Sequence, residues 1–123
     1  MEDKVVFKGH AKDIKEVWRN NHLLVLPSLG EGTPLSLIEA MVSGRTAVVT
    51  DVGDNAIFIN QKTGFLSDAP TVKCIDEAME SAWSQNEQWE LLGKEAHKFA
   101  SSQIDKYPED TLLKDILQNK IQL

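Results

Sequence analysis

Hydrophobic and polar positions along this chain repeat with two different periods. Nearly continuous apolar runs at residues 22–26 and 46–50, with shorter ones at 5–8 and 65–66, predict β-strands. Apolar positions three and four apart at residues 13–21, 34–43, 71–84 and 87–101 predict amphipathic helices. Strands that alternate with helices indicate an α/β fold with a parallel sheet and right-handed crossovers. In such a sheet, we expect run 22–26 to be buried on both faces.

The helix predicted at residues 34–43 has two distinct faces. Leu35, Ile38 and Val42 define an apolar face. The strip beside it is small and polar, and it comprises Ser36, Glu39, Ala40 and Ser43. Gly44 follows directly, where a left-handed glycine commonly ends a helix.

Composition narrows the classes of function. A length of 123 residues is that of one ordinary domain, and a formal charge of -6 argues against a nucleic-acid surface. The single cysteine, Cys74, excludes an internal disulfide and is typical of a reducing compartment. No apolar run approaches the roughly 18 residues of a membrane span, so we expect a cytoplasmic protein. His10, His22 and His97 are scattered, and we predict no metal site.

The segment from Pro27 to Ala40 carries the clearest chemistry. Thr33 is predicted to cap the helix and Pro34 to be its first residue, where proline loses no hydrogen bond. The N–H groups of Leu35 and Ser36 then face outward at a positive helix end, which favours an anion such as phosphate. Two acids, Glu31 and Glu39, flank this point and suit the hydroxyls of the same ligand. The segment therefore predicts a nucleotide-sugar pocket at the carboxyl ends of the strands, where open α/β sheets bind ligands.

This segment resembles the glutamate pair of retaining nucleotide-sugar glycosyltransferases of the GT-B fold. The family pattern appears here as Pro27-Ser28, Glu31-Gly32 and Glu39-Ala40. Residues 5–10, 44–53 and 63–66 resemble three further family segments in the right order. The resemblance implies a Rossmann-like parallel sheet with flanking helices, the second half of a GT-B enzyme. We expect a partial donor-binding domain at 4–104 and a C-terminal helix or tail at 105–123.

The resemblance also implies roles for individual residues. Glu31 would contact the hydroxyls of the donor hexose near the reacting carbon, and Glu39 would accept hydrogen bonds from the ribose. The residues expected to approach the diphosphate are Gly32, Thr33, Pro34, Leu35 and Ser36. His10, after a glycine on the same rim, is a candidate for a nucleotide contact. The substrate would be a nucleoside diphosphate sugar, with UDP favoured, and neither a cofactor nor a metal is expected.

One loop departs from the family pattern. The family usually has two glycines after the strand at 46–50 and a glutamate about three positions later. Here Asp54 replaces the second glycine, and Ile57 occupies the approximate glutamate position. This departure leaves open whether the loop makes no ligand contact or marks a different donor sugar.

A complete GT-B enzyme also has an N-terminal acceptor domain and two cations earlier in the second domain, and neither is found here. We therefore expect a chain that binds a nucleotide sugar but is inactive alone. The apolar stripe of the tail comprises Leu112, Leu113, Ile116 and Leu117, and we expect it to fold back or to mediate self-association. Peripheral attachment at the membrane inner face is a further expectation. The alternatives are part of a GT-B-like nucleotide-sugar epimerase, or a non-catalytic nucleotide-binding or interaction module.

Overall fold

A computed structural model describes residues 2–118, and its centre is a parallel sheet of three strands in the order β1-β2-β3. The strands are β1 (Leu23–Leu26), β2 (Thr46–Thr50) and β3 (Phe65–Ser67). Leu23 pairs with Thr46, and Val48 pairs with Phe65. The predicted parallel α/β sheet is therefore confirmed.

Helices flank the sheet close to the predicted positions. They are α1 (Ile14–Arg19), α2 (Leu35–Val42), α3 (Asn55–Phe58), α4 (Val72–Ser84), α5 (Trp89–Gln103) and α6 (Pro108–Leu117), with 3₁₀ turns at Glu2–Lys4 and Asn86–Gln88. Side chains cap two of the helix starts, since the Asp13 carboxylate accepts from the N–H of Lys15 and the Thr71 hydroxyl from the N–H of Cys74.

The core has two parts because successive side chains of β2 point to opposite faces of the sheet. Val49 belongs to the cluster beneath α2, α3 and α5, which comprises Leu37, Met41, Ala47, Val49, Phe58, Ile59, Ala96 and Ala100. Val48 belongs to the cluster beneath α4, which comprises Val48, Phe65, Ala78, Ala82 and Leu92. All five residues of β2 are buried, so this strand has the two covered faces expected of a parallel sheet.

Gly44 and Gly93 bring α2 and α5 close together. Gly44 has a φ of 74°, as its predicted left-handed role requires. A Cβ on Gly93 would lie 2.1 Å from the carbonyl oxygen of Gly44. Only glycine on α5 therefore permits this approach to the end of α2.

The strand predicted at residues 5–8 is wrong, because this segment has no regular structure and Phe7 is almost fully exposed. An apolar run forms a strand only where a neighbour offers hydrogen bonds, and β1 pairs with β2 alone among the described strands. As a consequence β1 is only partly buried, with Val25 exposed, and the expectation of two buried faces is also wrong.

The apolar face predicted for α2 is wrong in part. Its fully buried residues are Leu37, Ala40 and Met41, whereas Leu35 and Val42 are exposed. The helix packs against both the sheet and α5, and these two neighbours select a stripe spaced three and four residues apart.

The C-terminal helix α6 forms as predicted, with Pro108 as its first residue. Leu112, Leu113 and Leu117 are each more than half exposed, so the tail is not folded back onto the domain. Residues 119–123, which the predicted tail includes, lie outside the described residues. Over residues 2–118, no helix has both the length and the apolar character needed to cross a bilayer.

Candidate functional site

The loops that follow β1 and β2 meet at the carboxyl ends of these strands. The hydroxyl of Thr50, the last residue of β2, donates a hydrogen bond to the carbonyl of Ser28 at 2.6 Å. The N–H of Asp54 donates to the carbonyl of Gly32 at 3.2 Å. These two bonds join the β2–α3 loop to the segment in which the sequence predicts a ligand site.

Glu31 is held from two sides. Its carboxylate accepts a hydrogen bond of 2.5 Å from the hydroxyl of Ser28, and its side chain is half-buried. On the other side Gly53, with a φ of 53°, packs against its backbone. A Cβ at Gly53 would lie 2.2 Å from the carbonyl oxygen of Glu31, so this contact requires glycine.

The start of α2 differs by one residue from the prediction. Pro34, not Thr33, is the N-cap, because its backbone is extended (φ -80°, ψ 97°) and its carbonyl accepts from the N–H groups of Leu37 and Ile38 at 3.1 Å. The Thr33 hydroxyl instead donates to the carboxylate of Asp54 at 2.8 Å. No side chain caps α2, and the first N–H groups of a helix have no acceptor within it.

The remaining predicted site residues occupy different environments. Glu39 is exposed on α2 next to the fully buried Ala40, and Ser36, one turn earlier, is half-buried. Gly32 and Thr33 are exposed on the loop, and Pro34 is buried. His10 is exposed in the irregular segment before α1, and its contact with a nucleotide stays a prediction.

Asp54, at the end of the β2–α3 loop, and Asn55, the first residue of α3, support the site without having been assigned a role from the sequence. Asn55 is fully buried, and its side-chain N–H₂ donates to the carbonyl of Thr50 at 2.8 Å. Its side-chain oxygen has no hydrogen-bond partner among the described residues. Asp54 binds both the backbone and the side chain of the opposite loop. Asp-Asn after a glycine is a typical turn pair, and this was the signal available in the sequence.

The surroundings of the site are apolar and contain no grouped metal ligands. Leu29, Leu35 and Ile57 are large apolar residues on the same rim, and each is more than half exposed. Within residues 2–118, no three His, Cys, Asp or Glu side chains come together as a possible metal site.

Comparison with known proteins identifies the family of this chain. The model described as "Glycosyl transferases group 1" matches residues 1–85. The chain is similar to a UDP-Gal:alpha-D-GlcNAc-diphosphoundecaprenol alpha-1,3-galactosyltransferase of Escherichia coli, with 33% identity over 67 residues, which are 54% of this chain and 17% of the relative. It is also similar to a lipopolysaccharide core biosynthesis mannosyltransferase of Rhizobium leguminosarum bv. viciae, with 37% identity over 65 residues, which are 52% of this chain and 18% of the relative.

Among solved structures, a sucrose-phosphate synthase from Thermosynechococcus elongatus matches 85% of this chain with a TM-score of 0.69 and 21% identity. The match covers 26% of that enzyme, so the chain spans only a small part of the proteins it resembles. At this identity the match supports the fold alone, which is a parallel α/β sheet with flanking helices as in a GT-B glycosyltransferase. Together with the family match over residues 1–85, it shows that the chain belongs to the glycosyl transferases group 1 family.

Proposed function

We propose that the chain is the nucleotide-sugar-binding part of a retaining glycosyltransferase. The parent protein would transfer a hexose from a nucleoside diphosphate sugar to a hydroxyl acceptor. One observation carries this proposal: Glu31 is fixed at the rim of the sheet by Ser28 and Gly53, directly before the uncapped start of α2. A fixed carboxylate beside free backbone donors suits a ligand that has both hydroxyls and an anion.

The parts of the donor are assigned by their chemistry. The diphosphate binds at the segment Gly32–Ser36, because the free N–H groups of Leu35 and Ser36 form the positive N-terminal end of α2. Glu39 accepts hydrogen bonds from the ribose hydroxyls, since it lies one turn further along α2 than Ser36. Glu31 accepts hydrogen bonds from the hexose hydroxyls. His10 adds a contact with the nucleotide.

In the transfer itself, the bond between the anomeric carbon and the diphosphate oxygen breaks, and the diphosphate leaves with the electron pair. The acceptor oxygen then bonds to the same carbon with retained configuration, and its proton passes to the departing diphosphate oxygen. The Glu31 carboxylate orients the hexose and faces the positive charge that develops at the anomeric carbon. The leaving diphosphate needs cations, and Arg45 does not supply one, because it precedes β2 at the opposite end of the sheet and donates to the carbonyl of Trp18 at 2.8 Å.

The isolated chain is therefore expected to bind its donor without turning it over. Removing one preorganised electrostatic partner typically lowers a rate by about 100- to 1000-fold. In this proposal the cations come from an earlier part of the same donor-binding domain, and the acceptor site belongs to an N-terminal domain. That N-terminal domain would also cover the exposed Leu29, Leu35 and Ile57.

The preferred donor is a UDP-sugar, because the Escherichia coli relative is named for UDP-Gal. The acceptor in that name is a sugar on diphosphoundecaprenol, which is a lipid carrier. A cytoplasmic protein that attaches peripherally to the membrane inner face would reach such an acceptor.

The test separates the two acids by calorimetric titration of the chain with UDP and with UDP-sugars. Glu39→Ala should weaken binding of both ligands, because both contain ribose. Glu31→Ala should weaken binding of the UDP-sugar and leave UDP nearly unchanged. Truncating one partner of a buried hydrogen bond typically costs about 1–3 kcal/mol. Glu80→Ala, an exposed glutamate on α4, is the matched control.

Several results would contradict the proposal. Equal losses for both ligands in both variants would refute the separate roles of the two acids. A chain that binds no nucleotide sugar would favour a non-catalytic interaction module. Interconversion of two UDP-sugars by the full-length protein, without an acceptor, would favour the epimerase. Donor hydrolysis or transfer by the isolated chain would show that no essential part lies elsewhere.

A further inference from the structure

The β2–α3 loop contacts the segment that carries Glu31 at three points. Gly53 packs against the backbone of Glu31, and the N–H of Asp54 donates to the carbonyl of Gly32. The third point is a side-chain bond in which the Thr33 hydroxyl donates to Asp54 Oδ2 at 2.8 Å. Gly53 and Asp54 thus fix Glu31, Gly32 and Thr33, which lie about twenty positions earlier in the chain.

The Glu31 segment needs such support because of its own sequence. Gly30 and Gly32 flank Glu31, and a Cβ on either glycine would meet no atom within 4 Å. Side-chain sterics therefore do not restrict the backbone at these two glycines, and glycine is the most permissive residue in this respect. The bond from Ser28 fixes the carboxylate but not the backbone that follows it.

The side-chain bond between Thr33 and Asp54 differs from the other two contacts because it depends on residue identity. A hydrogen bond from a hydroxyl to an ionised carboxylate is stronger than a hydrogen bond between two neutral groups. Because the single Thr33 proton points to Asp54, the residue can meet a ligand only with its backbone or with a hydroxyl lone pair.

We propose that Asp54 is a positioning residue, and that its bond with Thr33 sets the backbone of the Glu31 segment for the sugar of the donor. This inference rests on the proposed function and deepens it, since Asp54 itself touches no ligand. The expected consequence is selective. Loss of the bond weakens the hexose part of the affinity more than the nucleotide part, because the nucleotide keeps Glu39 and the N–H groups of Leu35 and Ser36 on α2.

The test uses the full chain, four single variants and the double variant that combines Asp54→Ala with Thr33→Val. Asp54→Ala and Thr33→Val remove the bond. Asp54→Asn keeps an acceptor for the Thr33 proton but removes the charge, and it therefore separates the bond from any repulsion of the diphosphate. Asp51→Ala removes an exposed aspartate from the same loop and is the matched control.

Two readouts are needed, amide hydrogen exchange over residues 29–33 and the ratio of the affinities for a UDP-sugar and for UDP. We expect Asp54→Ala and Thr33→Val to speed the exchange and to lower the affinity ratio about threefold to tenfold, as for one hydrogen bond. Asp54→Asn should stay close to the unchanged chain in both readouts, as should Asp51→Ala. The double variant should lose no more than either single one, because both changes remove the same bond.

The outcomes distinguish this inference from the proposed function. If Glu31→Ala lowers the affinity ratio but Asp54→Ala and Thr33→Val do not, the positioning role is refuted and the donor site stands. Unchanged exchange over residues 29–33 in both variants also refutes it, whatever the ligand does. If the unchanged chain binds neither ligand, the proposed function fails and the role of Asp54 fails with it.

Discussion

Replacing Gly53 by alanine should displace Glu31 and destabilise the whole domain. Two separate free-energy costs, backbone strain and steric overlap, add together at this residue. Its φ of 53° lies in the left-handed region, and a Cβ there would lie 2.2 Å from the carbonyl oxygen of Glu31 and 2.8 Å from that of Gly32. These are backbone atoms, so the loop cannot relieve the overlap by turning a side chain.

Other glycines in the chain allow the two costs to be measured separately. Gly44 has a φ of 74° and open space around a Cβ, so Gly44→Ala should cost only the backbone strain of about 1–2 kcal/mol. Gly30 has neither problem, and Gly30→Ala should change the stability by less than about 1 kcal/mol in either direction. Gly53→Ala adds an overpacking cost of about 1–3 kcal/mol to the strain, which makes about 2–5 kcal/mol in all.

Urea unfolding followed by tryptophan fluorescence measures these differences, because Trp18 is buried in the folded chain. Of the three variants, we expect Gly30→Ala to be the most stable, Gly44→Ala to be intermediate and Gly53→Ala to be the least stable. A folded Gly53→Ala chain should also lose affinity for the UDP-sugar more than for UDP. If Gly53→Ala is no less stable than Gly44→Ala, the close packing of Gly53 against Glu31 is not present in solution and the reasoning fails.

Two further predictions concern regions away from the site. The Lys94 ammonium donates to Glu90 at 2.7 Å and lowers the pKa of that exposed carboxyl, so the associated stability is present above the unfolded pKa and is lost as the pH falls through the folded one. Lys94→Met should return the pKa of Glu90 toward its ordinary value in an NMR titration, and an unchanged value would contradict the pairing. The exposed apolar stripe on α6 should make the full chain self-associate in light scattering, whereas a chain that ends at Ser102 should be a monomer. The same number of subunits in the particles of both chains would exclude α6 as the contact.

Much of the secondary structure followed from local signals. Strand β2 forms at the predicted residues 46–50, and Gly44 has its predicted left-handed conformation. The helices appear within a few residues of their predicted limits, because periodicity and caps act over one or two turns. Thr33 and Pro34 show the limit of such signals. Both residue types suit a helix start, and a partner from another loop decided which one became the cap.

The failures concern contacts between distant parts of the chain. The run at residues 5–8 has the composition of a strand but has no neighbouring strand, and β1 therefore has an open edge. On α2, Leu35 has an apolar side chain but lies outside the stripe that faces α5. In each case the local pattern specified an element, and the position of a neighbour decided whether it formed or which side it buried.

The sequence by itself determined the alternation of strands and helices, the parallel sheet, and the segment in which Glu31, Glu39 and the start of α2 occur together. These features depend on short-range periodicity, on turn residues and on the spacing of a motif. The bond from Ser28 to Glu31 is local, since it joins residues three apart in one loop. Only the tertiary structure decided how the backbone of Glu31 is held, because Gly53 approaches it from the end of another strand. The bond between Thr33 and Asp54 also spans two loops. Such contacts form only when the parallel strands bring their carboxyl ends to one rim, and no local pattern records which residues will meet there.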